Sequence, residues 1–244
     1  MAPWPSDPGQ PLGSASGRAY RRRMRIACLH TAESNISVFE TARRAEGLHF
    51  VSLRHEVRAD LLAAAERAGG LSGEIASQTA AALRELTSGA DAVFLTCSTL
   101  GPAAADAAMA AAVPVLRVDA ALAAESVRRG GLVAVLCTAA TTLAPTRALF
   151  EEHAGGTGAR VDVRFVPGAW EAFKAGRQER YLEMIAEAAD AAFRDGAHAV
   201  ALAQASMAAA ARLCRAGRPL SSPEVGLRQA TSLAGARQGP RLTP

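Results

Sequence analysis

The chain has one lysine, Lys174, among 27 basic residues. Catalysis through a lysine Schiff base therefore has one candidate at most. Aromatic residues make up only 5% of the sequence, so its 50% hydrophobic content is mostly Ala, Leu and Val. Small side chains of that kind suit close packing of helices on a sheet. Cysteine is also scarce. Cys28, Cys97, Cys137 and Cys214 form no C-x-x-C pair and are too sparse for a disulfide scaffold, so a reducing compartment is the simpler reading. The histidines (His30, His49, His55, His153 and His198) show neither H-x-H nor H-E-x-x-H spacing, and no zinc site is read from them. No run approaches the ~18 consecutive apolar residues of a membrane helix. No G-x-G-x-x-G follows either of the two strands that could open a dinucleotide-binding unit, which argues against a nicotinamide or flavin oxidoreductase.

With 20% charged residues in 244, the composition is globular and the chain is long enough to bury a substantial core. The net charge of +4 is concentrated at the start. Residues 1–25 carry Arg18, Arg21, Arg22, Arg23 and Arg25 against Asp7, and the rest is near neutral. No basic face is needed on the folded body, so nucleic acid is not an expected partner. Residues 1–23 are rich in Pro, Gly and Ser and are expected to be a disordered tail. The arginine run invites an export reading, but an export signal needs about 7–15 apolar residues behind it. Here the run stops at His30 and is followed by Glu33, Ser34 and Asn35. A cytoplasmic protein without a membrane partner is expected.

Sliding the chain against itself shows a repeat. Ile26-Ala27-Cys28-Leu29-His30-Thr31-Ala32 resembles Val133-Ala134-Val135-Leu136-Cys137-Thr138-Ala139. Asp91-Ala92-Val93-Phe94-Leu95 resembles His198-Ala199-Val200-Ala201-Leu202 at the same offset of 107. Strands are expected over 25–30, 50–53, 92–96 and 113–118 in the first half and over 132–137, 161–166 and 199–203 in the second. Helical patterns fall at 36–45, 58–68, 72–86, 102–112, 145–153, 177–194 and 207–215. Alternating strands and helices imply parallel sheets covered on both faces. The expected fold is α/β, with two similar parallel-sheet domains related by a pseudo-two-fold and a site in the cleft between them. Ligands of such sheets sit beyond the carboxyl ends of the strands.

Cys97 stands at one such end, in Thr96-Cys97-Ser98-Thr99-Leu100-Gly101-Pro102. A thiol directly before a helix N-terminus is expected to have a lowered pKa, and free N–H groups with the Ser98 and Thr99 hydroxyls can hold a carboxylate or an enolate oxygen. The plain alternative is a small buried hydrophobe followed by an N-cap. Thr138, Thr141 and Thr142 stand at the corresponding end of the second half, with Thr31 as the counterpart of Thr138. Ser34 and Asn35 are placed to cap the helix from residue 36. His30 and Cys137 are equivalent by the repeat and point away from the cleft if Thr31 and Thr138 face it. His55 is read as a solvated loop residue.

These motifs together resemble the aspartate/glutamate racemase superfamily, near its hydantoin racemase-like branch. The resemblance rests on Ile26–Thr31, on the run from Asp91 to Pro102 with Cys97, on the run from Gly131 to Thr146, on the run from Val200 to Met207, and on Leu220-Ser221-Ser222-Pro223. It implies two α/β domains, a cleft site, no cofactor, and frequent homodimers. It also implies that the chain returns to the first domain after Leu220. The domains would then be 24–118 plus 220–244, and 119–219. The implied chemistry is proton transfer at a carbon beside a carboxylate, with a cysteine on each face. Cys97 matches the first cysteine. The repeat puts Gln204 where the second usually stands, and Ser206 follows it. Glutamine does not titrate, and Cys214 lies ten positions further on.

Three readings follow. Cys97 works with another acid, and the protein racemises or isomerises a small carboxylate. Alternatively it works alone as a cofactor-independent decarboxylase of a malonate-like substrate. In the third, the site only binds a small anion. The first makes the protein an isomerase with Cys97 as acid/base and with Thr31, Asn35, Ser98, Thr99, Thr138, Thr141, Thr142, Gln204 and Ser206 binding substrate.

Overall fold

A computed structural model of the chain describes Trp4 and residues 23–237. The first half contains β1 (Met24–His30), α1 (Ser34–Ala45), β2 (Val51–Val57), α2 (Ala59–Arg67), α3 (Gly73–Leu86), β3 (Ala92–Leu95), α4 (Ala104–Met109), β4 (Val115–Arg117) and α5 (Val118–Val127). The second contains β5 (Gly131–Cys137), α6 (Ala140–Ala154), β6 (Ala159–Phe165), α7 (Ala169–Lys174), α8 (Gln178–Arg194), β7 (Ala199–Leu202), β8 (Leu220–Ser221) and α9 (Ser222–Arg237). The strand orders are β2-β1-β3-β4 and β6-β5-β7-β8, and every pairing is parallel. Ile26 lies opposite Ala92, and Val133 opposite Ala199. Both registers are therefore related by the offset seen in the sequence, and the duplicated α/β architecture is as expected.

The central strands are apolar on both sides because helices cover both faces. Ala27, Leu29, Val93 and Leu95 pack against α2, α3 and α4. On the opposite face Ile26, Cys28 and Phe94 meet Phe39 of α1 and Leu227 and Ala230 of α9. In the second sheet Val133 and Val135 meet Ala121, Leu122 and Val127 of α5. The two halves thus exchange helices: α5 leaves the first sheet to cover the second, and α9 leaves the second to cover the first. A Cβ on Gly226 would sit 3.2 Å from the Val118 side chain, so glycine there lets α5 and α9 approach closely. The strand Leu220–Ser221 pairs with β7 in the second sheet. The helix α9, which follows it, packs on the first sheet through Leu227 and Ala230.

Several local expectations need correction. β2 continues to Val57, so His55 lies within a strand and its side chain is only 13% exposed. The polar run Arg54-His55-Glu56 disguised the strand. Arg54 is buried, donates to the Leu86 carbonyl at 2.9 Å and lies 4.6 Å from the Trp4 ring. Cys97 does not immediately precede a helix: a turn intervenes before a short 3₁₀ segment at Gly101–Ala103 and then α4. The helical stretch after Gln204 is 3₁₀, at Ala205–Arg212. α6 starts at Ala140, five residues before Pro145, whose ring removes one intrahelical donor near the helix start. α1 begins at Ser34 after Glu33, with no side-chain cap from Ser34 or Asn35. α5 was not foreseen. Of the expected tail, only Trp4 and Arg23 fall within the described residues.

Candidate functional site

The strand ends position the site. The Thr96 amide donates to the Leu29 carbonyl, and the Ala203 amide donates to the Leu136 carbonyl, each at 3.1 Å. These equivalent bonds set Cys97 and Gln204 just beyond β3 and β7, facing each other across the two halves. A small cavity of about 40 Å³ lies between them. Thr31, Asn35, Cys97, Ser98, Thr99, Thr142, Gln204 and Ser206, all expected at the site, line it. Thr138 and Thr141 stand behind the wall. Thr138 donates to Gln204 Oε1 from its amide at 2.7 Å and from its hydroxyl at 2.8 Å. Thr141 shares a hydrogen bond of 3.1 Å with Thr99.

Several hydroxyls are committed to the fold. Ser98 donates to the Ala203 carbonyl at 3.2 Å, joining the halves. Thr142 donates to the Ala139 carbonyl at 2.7 Å. The Ser206 hydroxyl lies 2.7 Å from the Tyr181 hydroxyl. Asn35 is buried, and its Oδ1 has no hydrogen-bond donor among the described residues. Sequence reasoning missed the apolar wall of Leu62, Trp170 and Phe173. Trp170 and Phe173 stack at 5.0 Å, and Trp170 Nε1 donates to Glu66 Oε1 at 2.8 Å across the halves. The four-residue offset from Leu62 to Glu66 on α2 was visible, but nothing in the sequence paired it with α7.

Burial pushes the Cys97 thiol above its ordinary range, and the carboxylate of Asp119 adds to the rise. The Thr31 hydroxyl and the N–H groups of Thr99 and Leu100 pull the other way without cancelling it. The expected low-pKa thiolate is thus reversed, because the helix N-terminus is too distant to outweigh desolvation. Asp119 is itself held by Arg117, with bonds of 3.0 and 2.9 Å. Arg117 packs beneath Gly101, where any Cβ would collide with the guanidinium. The helix N-termini that do border the cavity are those of α1 and α6, through Asn35 and Thr142. His30 and Cys137 are buried on the far faces, and Cys214 does not line the cavity. Cys97 is therefore the one titratable side chain among the described residues lining it.

The family described as Asp/Glu/Hydantoin racemase matches residues 63–230, more than half of the chain. The chain belongs to this racemase family. Among solved structures, the allantoin racemase of Pseudomonas fluorescens is 19% identical with a TM-score of 0.63, and the match covers 91% of this chain and 99% of that one. The aspartate racemase of Picrophilus torridus is 11% identical with a TM-score of 0.66, covering 87% and 94%. A glutamate racemase isoform of Bacillus anthracis is 14% identical with a TM-score of 0.63, covering 89% and 84%. At these identities the likeness carries the fold. A search of curated protein sequences finds no match. Among the described residues no helix is long and apolar enough to cross a membrane.

Proposed function

We propose that the protein is a cofactor-independent isomerase of the racemase type, moving a proton at the α-carbon of a small carboxylate with Cys97 as its acid/base. The observation that carries this reading is the isolation of Cys97 as the one titratable side chain among the described residues lining a small cavity in a racemase-family chain. Among the described residues no charged side chain lines that cavity, so the carboxylate is held by neutral donors. The Thr99 hydroxyl and the opening N–H groups of α6 supply them, and a helix start favours an anion. Asn35 Oδ1 asks for a donor, which an amino or amide N–H of the substrate provides. The Leu62, Trp170 and Phe173 wall takes an apolar or planar substituent.

The Cys97 thiolate removes the α-proton, and the electron pair passes into the carboxylate as an enolate. The S–H then returns a proton to carbon. Gln204 orients the opposite face. Its Oε1 is fixed by Thr138, because a backbone N–H only donates, and its Nε2 is left as a pure donor. With one proton carrier, racemisation requires the planar intermediate to turn and offer its other face to the same sulfur. A proton shift on a single face needs no turn.

The neutral resting state of Cys97 favours a second reading, decarboxylation of a malonate-like substrate. There the carbon–carboxylate bond breaks and leaves the enolate, the thiol gives its proton to carbon, and solvent reprotonates the thiolate. Proton NMR in deuterated water separates the two, using aspartate, glutamate, hydantoins and substituted malonates as candidates. Loss of an α-proton signal with the native protein, but not with Cys97→Ser, is the expected result. A singly deuterated acid formed from a malonate establishes the decarboxylase instead. Equal turnover by Cys97→Ser refutes both.

A further inference from the structure

A second chemical cluster lies outside the cavity, on the α1 side of the first sheet. Cys28 and His30 are two residues apart on β1 and share a face, and His55 of β2 is the register partner of Cys28. Cys28 Sγ and one nitrogen from each imidazole all lie within 4.8 Å of one another. From these positions we infer that Cys28, His30 and His55 form a site for a divalent transition-metal ion of the zinc class, separate from the proton-transfer cavity.

The hydrogen-bond chain around the imidazoles carries the argument. The Thr96 hydroxyl donates to the Leu29 carbonyl at 3.0 Å, so its oxygen must accept from His30 Nδ1 at 2.8 Å. A neutral His30 then presents a bare Nε2 lone pair, and His55 Nδ1 fills the gap by donating to it at 2.9 Å. That leaves His55 Nε2 without a proton. It is buried, lies within hydrogen-bond distance of no partner among the described residues, and faces Glu40 Oε1 at 3.6 Å. Two acceptors confront each other.

A metal ion removes this conflict. Bound to Cys28 Sγ, His30 Nε2 and His55 Nδ1, it replaces the shared proton. His55 then carries its remaining proton on Nε2 and donates it to Glu40. The His30 Nδ1–H bond to Thr96 and the His55 Nε2–H bond to Glu40 are the supports that orient metal-bound imidazoles. One thiolate and two imidazoles match a borderline ion rather than magnesium or calcium, and three protein ligands leave a fourth position open. The Cys28 thiol releases its proton to solvent as the metal–sulfur bond forms. The thiolate offsets one positive charge of the ion, and the Glu40 carboxylate, shared with Arg43, faces the other. Arg43 holds Glu40 by its other oxygen at 2.8 Å, leaving Oε1 for His55. Loading also fixes Thr96, and with it the strand end that carries Cys97.

The test is a cobalt(II) titration of the full chain after chelator treatment, read by visible and near-ultraviolet absorption. One equivalent per chain is expected, with a thiolate-to-cobalt band and tetrahedral ligand-field bands, all displaced by zinc. Cys28→Ser should abolish the thiolate band, while Cys97→Ser and Cys214→Ser should keep it. Glu40→Gln should weaken binding by roughly 10–100-fold. Should Cys28→Ser misfold by circular dichroism, His55→Gln serves in its place and should abolish the tetrahedral bands. Absence of a thiolate band in the folded native chain, or its persistence in folded Cys28→Ser, overturns the site. In the first case a protonated His55 on Glu40 explains the cluster without an ion.

Discussion

Gln204 Oε1 sits 2.7 Å from the amide nitrogen of Thr138 and 2.8 Å from its hydroxyl. In the other half, the Thr31 hydroxyl bonds toward the Cys97 sulfur. The two pairs are the same pair, 107 residues apart. The duplicated scaffold thus carries a titratable thiol in one half and a fixed amide dipole at the matching position of the other.

Restoring a thiol at the second position tests that asymmetry. Gln204→Cys should introduce proton exchange on the opposite face of the substrate and raise racemisation by roughly 10²-fold, the usual reach of a positioned acid/base. The ratio of deuterium incorporation at the two faces, measured by chiral chromatography and mass spectrometry, checks this. An unchanged ratio means that residue 204 does not face the reacting carbon.

The raised pKa of Cys97 has a definite sign in solution. Its alkylation by iodoacetamide requires the thiolate. The rate should climb with pH about tenfold per unit, with a midpoint above the ordinary range of a cysteine thiol. A small carboxylate ligand should slow it. Subtracting the rate for Cys97→Ser removes the other thiols. A plateau already reached at neutral pH would mean that the turn N–H groups outweigh burial.

The same shift separates the two proposed reactions. Proton abstraction from carbon should quicken as pH rises toward that midpoint. Protonation by the neutral thiol should stay level and then fall above it. A pH–rate profile on the substrate identified by NMR distinguishes them.

Trp170 is tied across the cleft to Glu66 at 2.8 Å. Glu66→Ala should loosen the apolar wall and raise KM about fivefold, in line with roughly 1 kcal/mol for one typical hydrogen bond, while kcat changes little. Steady-state kinetics read the split. An equal fall in kcat would place the latch in the reacting geometry instead.

Tyr181 supports the Gln204 side from behind through Ser206. Tyr181→Phe keeps the ring and leaves a buried hydroxyl without its partner. A loss of about 1 kcal/mol is expected in urea unfolding, with an unchanged m-value. Stability equal to that of the native chain would show that water replaces the tyrosine hydroxyl.

Much of this architecture was legible from apolar runs and one repeated offset. Ile26–Leu29 and Val133–Leu136 announce central strands because both faces are covered and no polar residue interrupts them. Arg54-His55-Glu56 conceals the end of β2, since an edge strand tolerates polar side chains that pair locally. Cys97 was found by position, but its ionisation was misjudged. The helix that would have lowered its pKa starts several residues later, at Ala104, after the turn and the 3₁₀ segment at Gly101–Ala103. The His30, His55 and Cys28 cluster was invisible as a motif, because its spacing is created by strand register rather than by sequence separation.

The crossing of α5 and α9 between the sheets has a consequence for how the molecule holds together. Each half lends the other one wall of its core. Expressed alone, either half would expose the apolar face its borrowed helix covers: Ile26, Cys28 and Phe94 in one case, Val133 and Val135 in the other. The duplicated unit is thus no longer autonomous. Unfolding should be a single transition, and the distance across the cleft is governed by the same interlock that makes the halves interdependent.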